Sequence, residues 1–172
     1  LPPVTAAAPE QIVIVGGGAA GFAAAEMLRR VRYPGRIVML SDDDAPPVDR
    51  PNLSKDYLAG TAPEDWVPLR EEGFYSEQRI DLRLKIRAID IDVRARTLAL
   101  SDGSTLAYDR LLLAMGAEPV RLTFAGSSEI PIRYLRTFGD SRAIIASIAS
   151  AKRVLVVGAS FFGGLSENWS HL

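Results

Sequence analysis

Cysteine does not occur anywhere in the 172 residues. That excludes structural disulfides, thiolate metal sites and iron–sulfur ligation within the chain. Histidine occurs once, as His171 near the C-terminus. With that supply, neither a Ser-His-Asp arrangement nor a histidine metal cluster can be built, and no metal ligands are expected. No apolar run approaches the roughly 20 residues needed to cross a bilayer, so no membrane span is expected. The N-terminus lacks the charged-then-apolar layout of a signal peptide, and a cytoplasmic location is the expectation. The 20 Lys and Arg residues are scattered among 21 Asp and Glu, for a formal net charge of -1. A nucleic-acid surface would need those cations clustered. What the chain does have is apolar content, 48%. That suffices for one well-packed domain, but the length is short for two complete α/β domains.

Residues 1–10 (LPPVTAAAPE) have no periodic pattern and read as a linker or tail. The first residue is Leu1 rather than Met, so the expectation is that an upstream portion was removed or never recorded. Gln11–Val15 (QIVIV) and Arg36–Leu40 (RIVML) are short continuous apolar runs, as in strands buried on both faces. A small-residue helix to about Arg30 separates them, closed by Pro34-Gly35, which makes a parallel β-α-β start. Residues 43–70 carry five prolines and read as irregular, with a short helix at Leu53–Leu58. A helix is expected at Glu71–Gln78. From Ile80 to Val93 apolar and polar residues alternate, with a step at Arg87-Ala88, as in one half-solvated strand. Thr97–Leu100 and Thr105–Tyr108 flank an Asp102-Gly103 hairpin turn. Leu111–Ala114 reads as a further buried strand, Ser141–Ser150 as a helix, and Arg153–Val157 as the strand of a second strand–glycine unit.

Gly16, Gly18 and Gly21 match G-x-G-x-x-G between the first strand and its helix. The first glycine permits the tight turn, the second lets the backbone approach a pyrophosphate, and the third allows the helix to pack on the strand. Unpaired N–H groups at the helix start, with the helix dipole behind them, favour phosphate there. Asp42 lies beyond the second strand, about twenty residues after the loop, where a carboxylate accepts hydrogen bonds from a ribose diol. Asp43 and Asp44 adjoin it, and the register stays open by one. These residues point to a dinucleotide; they do not separate FAD from NAD, and glycines serving only tight packing are the bland alternative.

The segment Val48-Asp49-Arg50-Pro51-Asn52-Leu53-Ser54-Lys55-Asp56-Tyr57-Leu58-Ala59-Gly60 resembles the one that follows the second strand in apoptosis-inducing-factor-like flavoproteins. That group includes ferredoxin, rubredoxin and putidaredoxin reductases and Rieske-fused reductases. The resemblance continues through Tyr108–Ala117 (YDRLLLAMGA), Tyr134–Thr137 (YLRT) and Gly158–Gly163 (GASFFG), covering about residues 11–163. It implies a Rossmann-like FAD-binding domain over 11–118, a parallel sheet plus a β-meander. The start of a second Rossmann NAD(P)H-binding unit follows over 119–172. It also implies that Gly16, Gly18, Ala20 and Gly21 hold the FAD pyrophosphate, with Asp42 on the adenosine ribose. The backbone of Ile86 would contact adenine, Gly116 would turn close to the cofactor, and Arg50 and Arg136 would lie along it. Lys55 is the implied catalytic residue, its ammonium beside the reactive nitrogen of the flavin, where it stabilises negative charge on the reduced ring. An exposed helix lysine and a surface salt bridge are the plain alternatives for Lys55 and Arg136. Disulfide-reducing relatives carry a Cys pair after the second strand. This chain has none, so the resemblance implies the branch that passes electrons from NADH or NADPH through FAD to a ferredoxin-like or Rieske iron–sulfur acceptor, separate or fused.

Two departures qualify that expectation. Met115 stands where the family usually has Thr, removing a hydroxyl. Gly158 and Gly163 open an NAD(P)H loop, but Leu165 occupies the usual glutamate place, and the chain stops before a second strand and before the returning FAD segment. The expectation is therefore an FAD-dependent oxidoreductase, with a truncated, non-catalytic dinucleotide-binding fragment as the other reading. A truncated, partial or frame-shifted sequence would each account for the ending.

Overall fold

A computed structural model describes residues 9–71, 73–124 and 130–157. They fall into two units. The first draws on Leu1–Pro47 and Arg70–Gly116, the second on Val48–Leu69 and Ala117–Leu172. The division expected at residue 118 is thus crossed by the proline-rich insertion, which groups with the later part of the chain.

In the first unit, β1 (Gln11–Val15), β2 (Arg36–Leu40), β3 (Ile80–Arg83) and β7 (Arg110–Leu113) form a parallel sheet in the order β3-β2-β1-β7. Val13 pairs with Val38 on one side and Leu111 on the other. The apolar runs fit this central placement, since Val13, Ile14, Ile37, Val38 and Met39 are all fully buried. Alternation then assigns the faces. Val13, Val15, Val38 and Leu40 pack against Leu98, Leu100 and Leu106 of a three-stranded antiparallel meander, β4 (Ala88–Asp92), β5 (Thr97–Leu100) and β6 (Thr105–Ala107). Ile14 faces the other way, towards Gly21 of α1 (Ala19–Arg30). On the helical side, Phe22 meets Phe74 and Tyr75 of α3 (Gly73–Glu77), with the Arg70 guanidinium 5.4 Å from the ring centres of Phe22 and Phe74.

Several expectations are corrected. The single strand over Ile80–Val93 is two strands in two sheets. Lys85 adopts a left-handed φ of 57°, and the chain leaves the parallel sheet there, Lys85 N–H donating to Asp43 O and Ile86 N–H to Ser41 O. The helix over Leu53–Leu58 is α2 (Arg50–Leu53) followed by turns, and that over Glu71–Gln78 shortens to α3. β7 joins the sheet as expected but is not buried. Among the described residues it is one of the two edge strands of the sheet, and Leu113 is 49% exposed. The hairpin forms as read, with Gly103 at φ 83° and Asp102 Oδ1 accepting from the N–H and Oγ of Ser104.

In the second unit, Val48 bridges Pro68 and Asp49 N–H donates to Val67 O, closing the insertion on itself. A 3-10 turn over Glu64–Trp66 follows the α2 segment, and α4 (Phe138–Ile148) begins at a reciprocal capping box between Thr137 and Asp140. Arg153–Val157, expected as a strand, joins no ladder among the described residues, and Leu155 is 88% exposed. Gly158 and Gly163 lie outside the described residues.

Candidate nucleotide site

The glycine loop of the first unit runs from the C-terminal end of β1 to α1. There β1 connects towards β2 on one side and pairs with β7 on the other, the strand-order reversal at which open α/β sheets bind ligands. Gly16 has φ 122° and donates its N–H to Leu40 O. A Cβ on Gly21 would fall 2.0 Å from Gly16 O, so the third glycine is required for helix and loop to touch. Gly17, which the motif leaves free, is equally constrained: its Cβ would fall 2.5 Å from Ser41 Oγ. No local signal in the sequence marks that contact, because Ser41 is 24 residues away.

Gly18 is the extended N-cap of α1, and the first intrahelical bond runs from Phe22 N–H to Gly18 O, 2.9 Å. The N–H groups ahead of it have no carbonyl within the helix to bond. No side chain caps them and no acid lies in the first turn, while Ala19 and Ala20 are small and exposed. The positive end of the helix is therefore reachable and has no acid in its own first turn. These features fit a pyrophosphate.

Asp42 lies just past β2, exposed, with Oδ2 accepting from Arg87 Nη2 at 2.7 Å. Arg87 is itself anchored, since its N–H donates to Ser101 Oγ and its carbonyl accepts from Ser101 N–H. The N–H of Ile86 is committed to Ser41 O, which leaves the carbonyl as the group able to meet an adenine amino donor. Gly116 follows β7 with φ 71°, and Met115 before it is exposed. Asp109 of the same motif accepts from the N–H groups of both Glu10 and Gln11, fixing the entry to β1 from about a hundred residues away.

The second unit brings Arg50, Lys55 and Arg136 onto one body. Arg50 opens α2 and Lys55 lies in the turn after it, both partly buried. Lys55 N–H donates to Asn52 O and Lys55 O accepts from Ala59 N–H. Arg136 directly precedes the α4 cap. Its N–H donates to Asp140 Oδ2 and its Nε lies 3.4 Å from Glu118 Oε1. Nearby, Tyr57 donates its hydroxyl to Glu64, whose carboxylate also pairs with Arg142. Burial raises the Tyr57 phenol above its ordinary range, and the Arg142 bond lowers the Glu64 carboxyl. Among the described residues no group of His, Cys, Asp and Glu is arranged to hold a metal, and no helix is long and apolar enough to cross a membrane.

Residues 10–164 match the pyridine nucleotide-disulphide oxidoreductase family. The rubredoxin-NAD(+) reductase of Pseudomonas putida is 38% identical over 143 residues, 83% of this chain and 37% of that protein. The ferredoxin–NAD(+) reductase component of the anthranilate 1,2-dioxygenase system of Burkholderia cepacia is 40% identical over 141 residues, 81% of this chain and 34% of that one. Among solved structures, the ferredoxin reductase for the CYP199A2 system from Rhodopseudomonas palustris superposes with a TM-score of 0.84 at 36% identity, over 90% of this chain and 38% of that chain. The chain thus spans little more than a third of the relatives it matches.

Proposed function

Since the chain belongs to the pyridine nucleotide-disulphide oxidoreductase family, we propose that it supplies the FAD-binding portion of a cytoplasmic NAD(P)H-dependent reductase. The electron acceptor in this reading is a ferredoxin-like or Rieske iron–sulfur protein, separate or fused. The observation that carries it is the N-terminus of α1, with no acid in its first turn, behind Gly16, Gly17 and Gly21, at each of which a Cβ would clash. The similarity to reductases named for ferredoxin and rubredoxin supports the class of acceptor.

In this reading the N–H groups at Gly18, Ala20 and Gly21 bind the pyrophosphate, with Gly16 setting the turn. Asp42 accepts from the adenosine ribose, the Ile86 carbonyl accepts from adenine, and Gly116 lets the backbone pass close by. Arg50 and Arg136 neutralise the cofactor's charge along its length. Lys55 would supply an ammonium near the flavin, where a positive charge would favour the reduced over the oxidised cofactor. FAD, when bound, supplies acceptance of a hydride and release of electrons one at a time. Gly158 and Gly163 are assigned to the NAD(P)H loop from the sequence alone.

Titration of the purified chain with FAD, followed by its visible spectrum and by anaerobic NADH, tests this. A bound flavin spectrum that bleaches with NADH is the expected result; a colourless protein indifferent to FAD overturns it. The one-third coverage favours a second reading, in which these 172 residues bind the adenosine half and do not turn over. Bound flavin that NADH leaves oxidised would select it.

A further inference from the structure

We infer that α4 is the clamp that sets the position of Lys55, with Ser141 and Phe138 as its positioning residues. As a statement about the reaction, it rests on the reading of Lys55 as flavin-facing.

The segment that carries Lys55 has little structure of its own. α2 is four residues long, and a single helical turn does not hold itself in water. Yet Leu53, Ser54, Tyr57 and Leu58 are all buried. Three contacts from α4 reach this segment. The fully buried Ser141 donates its hydroxyl to Leu53 O at 3.0 Å, across 88 residues of sequence. The carbonyl it takes is one of those a helix end leaves without an intrahelical donor. The ring of Phe138 meets Tyr57 edge-on, with centroids 5.1 Å apart. The Arg142 guanidinium lies 4.0 Å from the Phe138 centroid and pairs with Glu64, which also receives the Tyr57 hydroxyl. Phe138, Ser141 and Arg142 are spaced i, i+3, i+4, so one stripe of α4 makes all three contacts.

The same helix holds Arg136. Asp140 accepts from the N–H groups of Arg136 and Thr137, and Thr137 Oγ1 accepts from Asp140 N–H. Arg136 and the turn carrying Lys55 are therefore both fixed to α4, although they are far apart in sequence. A helix that merely filled space would need an apolar face. This one spends a buried hydroxyl and a cap on particular backbone groups of the Lys55 segment and of Arg136.

The test uses the chain as it is. Competitive acylation with mass spectrometry gives the labelling rate of Lys55 against Lys85 and Lys152, which are the other two lysines and serve as internal controls. Hydrogen exchange is followed at the Lys55 and Ala59 amides and, for comparison, at Val13 and Val38. Ser141→Ala is expected to speed exchange at Lys55 and Ala59 about fivefold, the effect of one lost hydrogen bond. It should also raise the labelling rate of Lys55 while sparing the sheet amides and Lys85. Glu64→Gln, at an exposed site where folding is not at stake, should act in the same direction and less strongly. Exchange and labelling at Lys55 unchanged in both variants, or changed equally everywhere, overturns the clamp. Lys55→Met in the FAD-loaded chain separates the two readings. An unaltered flavin spectrum and potential there, beside a loosened Ser141→Ala, would sink the role of Lys55 and leave the clamp standing. An altered spectrum beside an unmoved Ser141→Ala would do the reverse.

Discussion

A Cβ placed on Gly16 would lie 2.2 Å from the carbonyl oxygen of Ala114. The ends of β1 and β7 therefore touch backbone to backbone where the glycine loop begins, and Gly16 also takes a φ of 122°. Neither atom can retreat without moving a strand of the central sheet. Gly16→Ala is expected to lower unfolding free energy by about 3 kcal/mol or more, combining strain with overpacking. Gly103 offers the control, with φ 83° and nothing within 4 Å of its Cβ position. Gly103→Ala carries the backbone strain alone, about 1 kcal/mol. Urea unfolding of the two variants measures the difference, and equal losses would defeat the assignment to the Ala114 contact.

Asp42 and Arg87 make an ion pair with both side chains more than half exposed, at 54% and 68%. Such pairs contribute little to stability, so Arg87→Gln should change it by less than about 0.5 kcal/mol. Asp42 has a second oxygen for a ribose hydroxyl, and a hydrogen bond to a charged group is worth about 1.5–3 kcal/mol. Asp42→Asn should accordingly weaken ADP binding about tenfold or more, while Arg87→Gln leaves it within about threefold. Calorimetric titration with ADP decides. A comparable loss in both variants would mean that the pair, rather than the carboxylate, reads the nucleotide.

How far the sequence disclosed this arrangement depended on how local each cause was. The glycine loop and the parallel strands around it were legible because Gln11–Val15 and Arg36–Leu40 carry their burial in unbroken apolar runs. The hairpin at Asp102-Gly103 announced its own turn. The break between β3 and β4 did not, because the left-handed residue there is Lys85, which carries none of the usual glycine or asparagine signal. Composition also misled at β7, where three leucines suggest burial but Leu112 and Leu113 are exposed. The site's supporting contacts were illegible for a different reason. Asp109 with Gln11, Ser141 with Leu53 and Arg87 with Asp42 are each pairs separated by tens of residues. No periodicity or spacing encodes them.

Arg29 closes the far end of α1. Its guanidinium donates to four backbone carbonyls, those of Tyr33, Gly35, Gln78 and Arg79, at 2.6–2.9 Å. Only a planar fork with several N–H groups can serve carbonyls from two separate chain segments at once. Lysine would keep the charge but reach fewer of them. Arg29→Lys should therefore cost about 1–3 kcal/mol of stability, read from urea unfolding. Exchange at the Arg36 amide, which donates to Glu10 O nearby, should rise with it. A neutral Arg29→Lys would show that charge at the helix C-terminus, rather than the fork, is what matters.

Tyr75 is buried beside Phe22 and Phe74, and among the described residues its hydroxyl has no hydrogen-bond partner. Burial pushes its phenol up to about 12 from an ordinary 10. The folded state thus keeps a proton that the unfolded chain releases first as pH rises. The contribution is whole below about pH 10 and is lost as pH climbs towards about 12. Replacing Tyr75 with Phe removes an unsatisfied polar atom and this titration together. Tyr75→Phe is expected to be at least as stable as the parent at neutral pH, with an advantage that widens between about pH 10 and 12. Denaturation at several alkaline pH values, with tyrosinate absorbance followed in parallel, checks both parts. A constant difference across that range would place the Tyr75 phenol in contact with water.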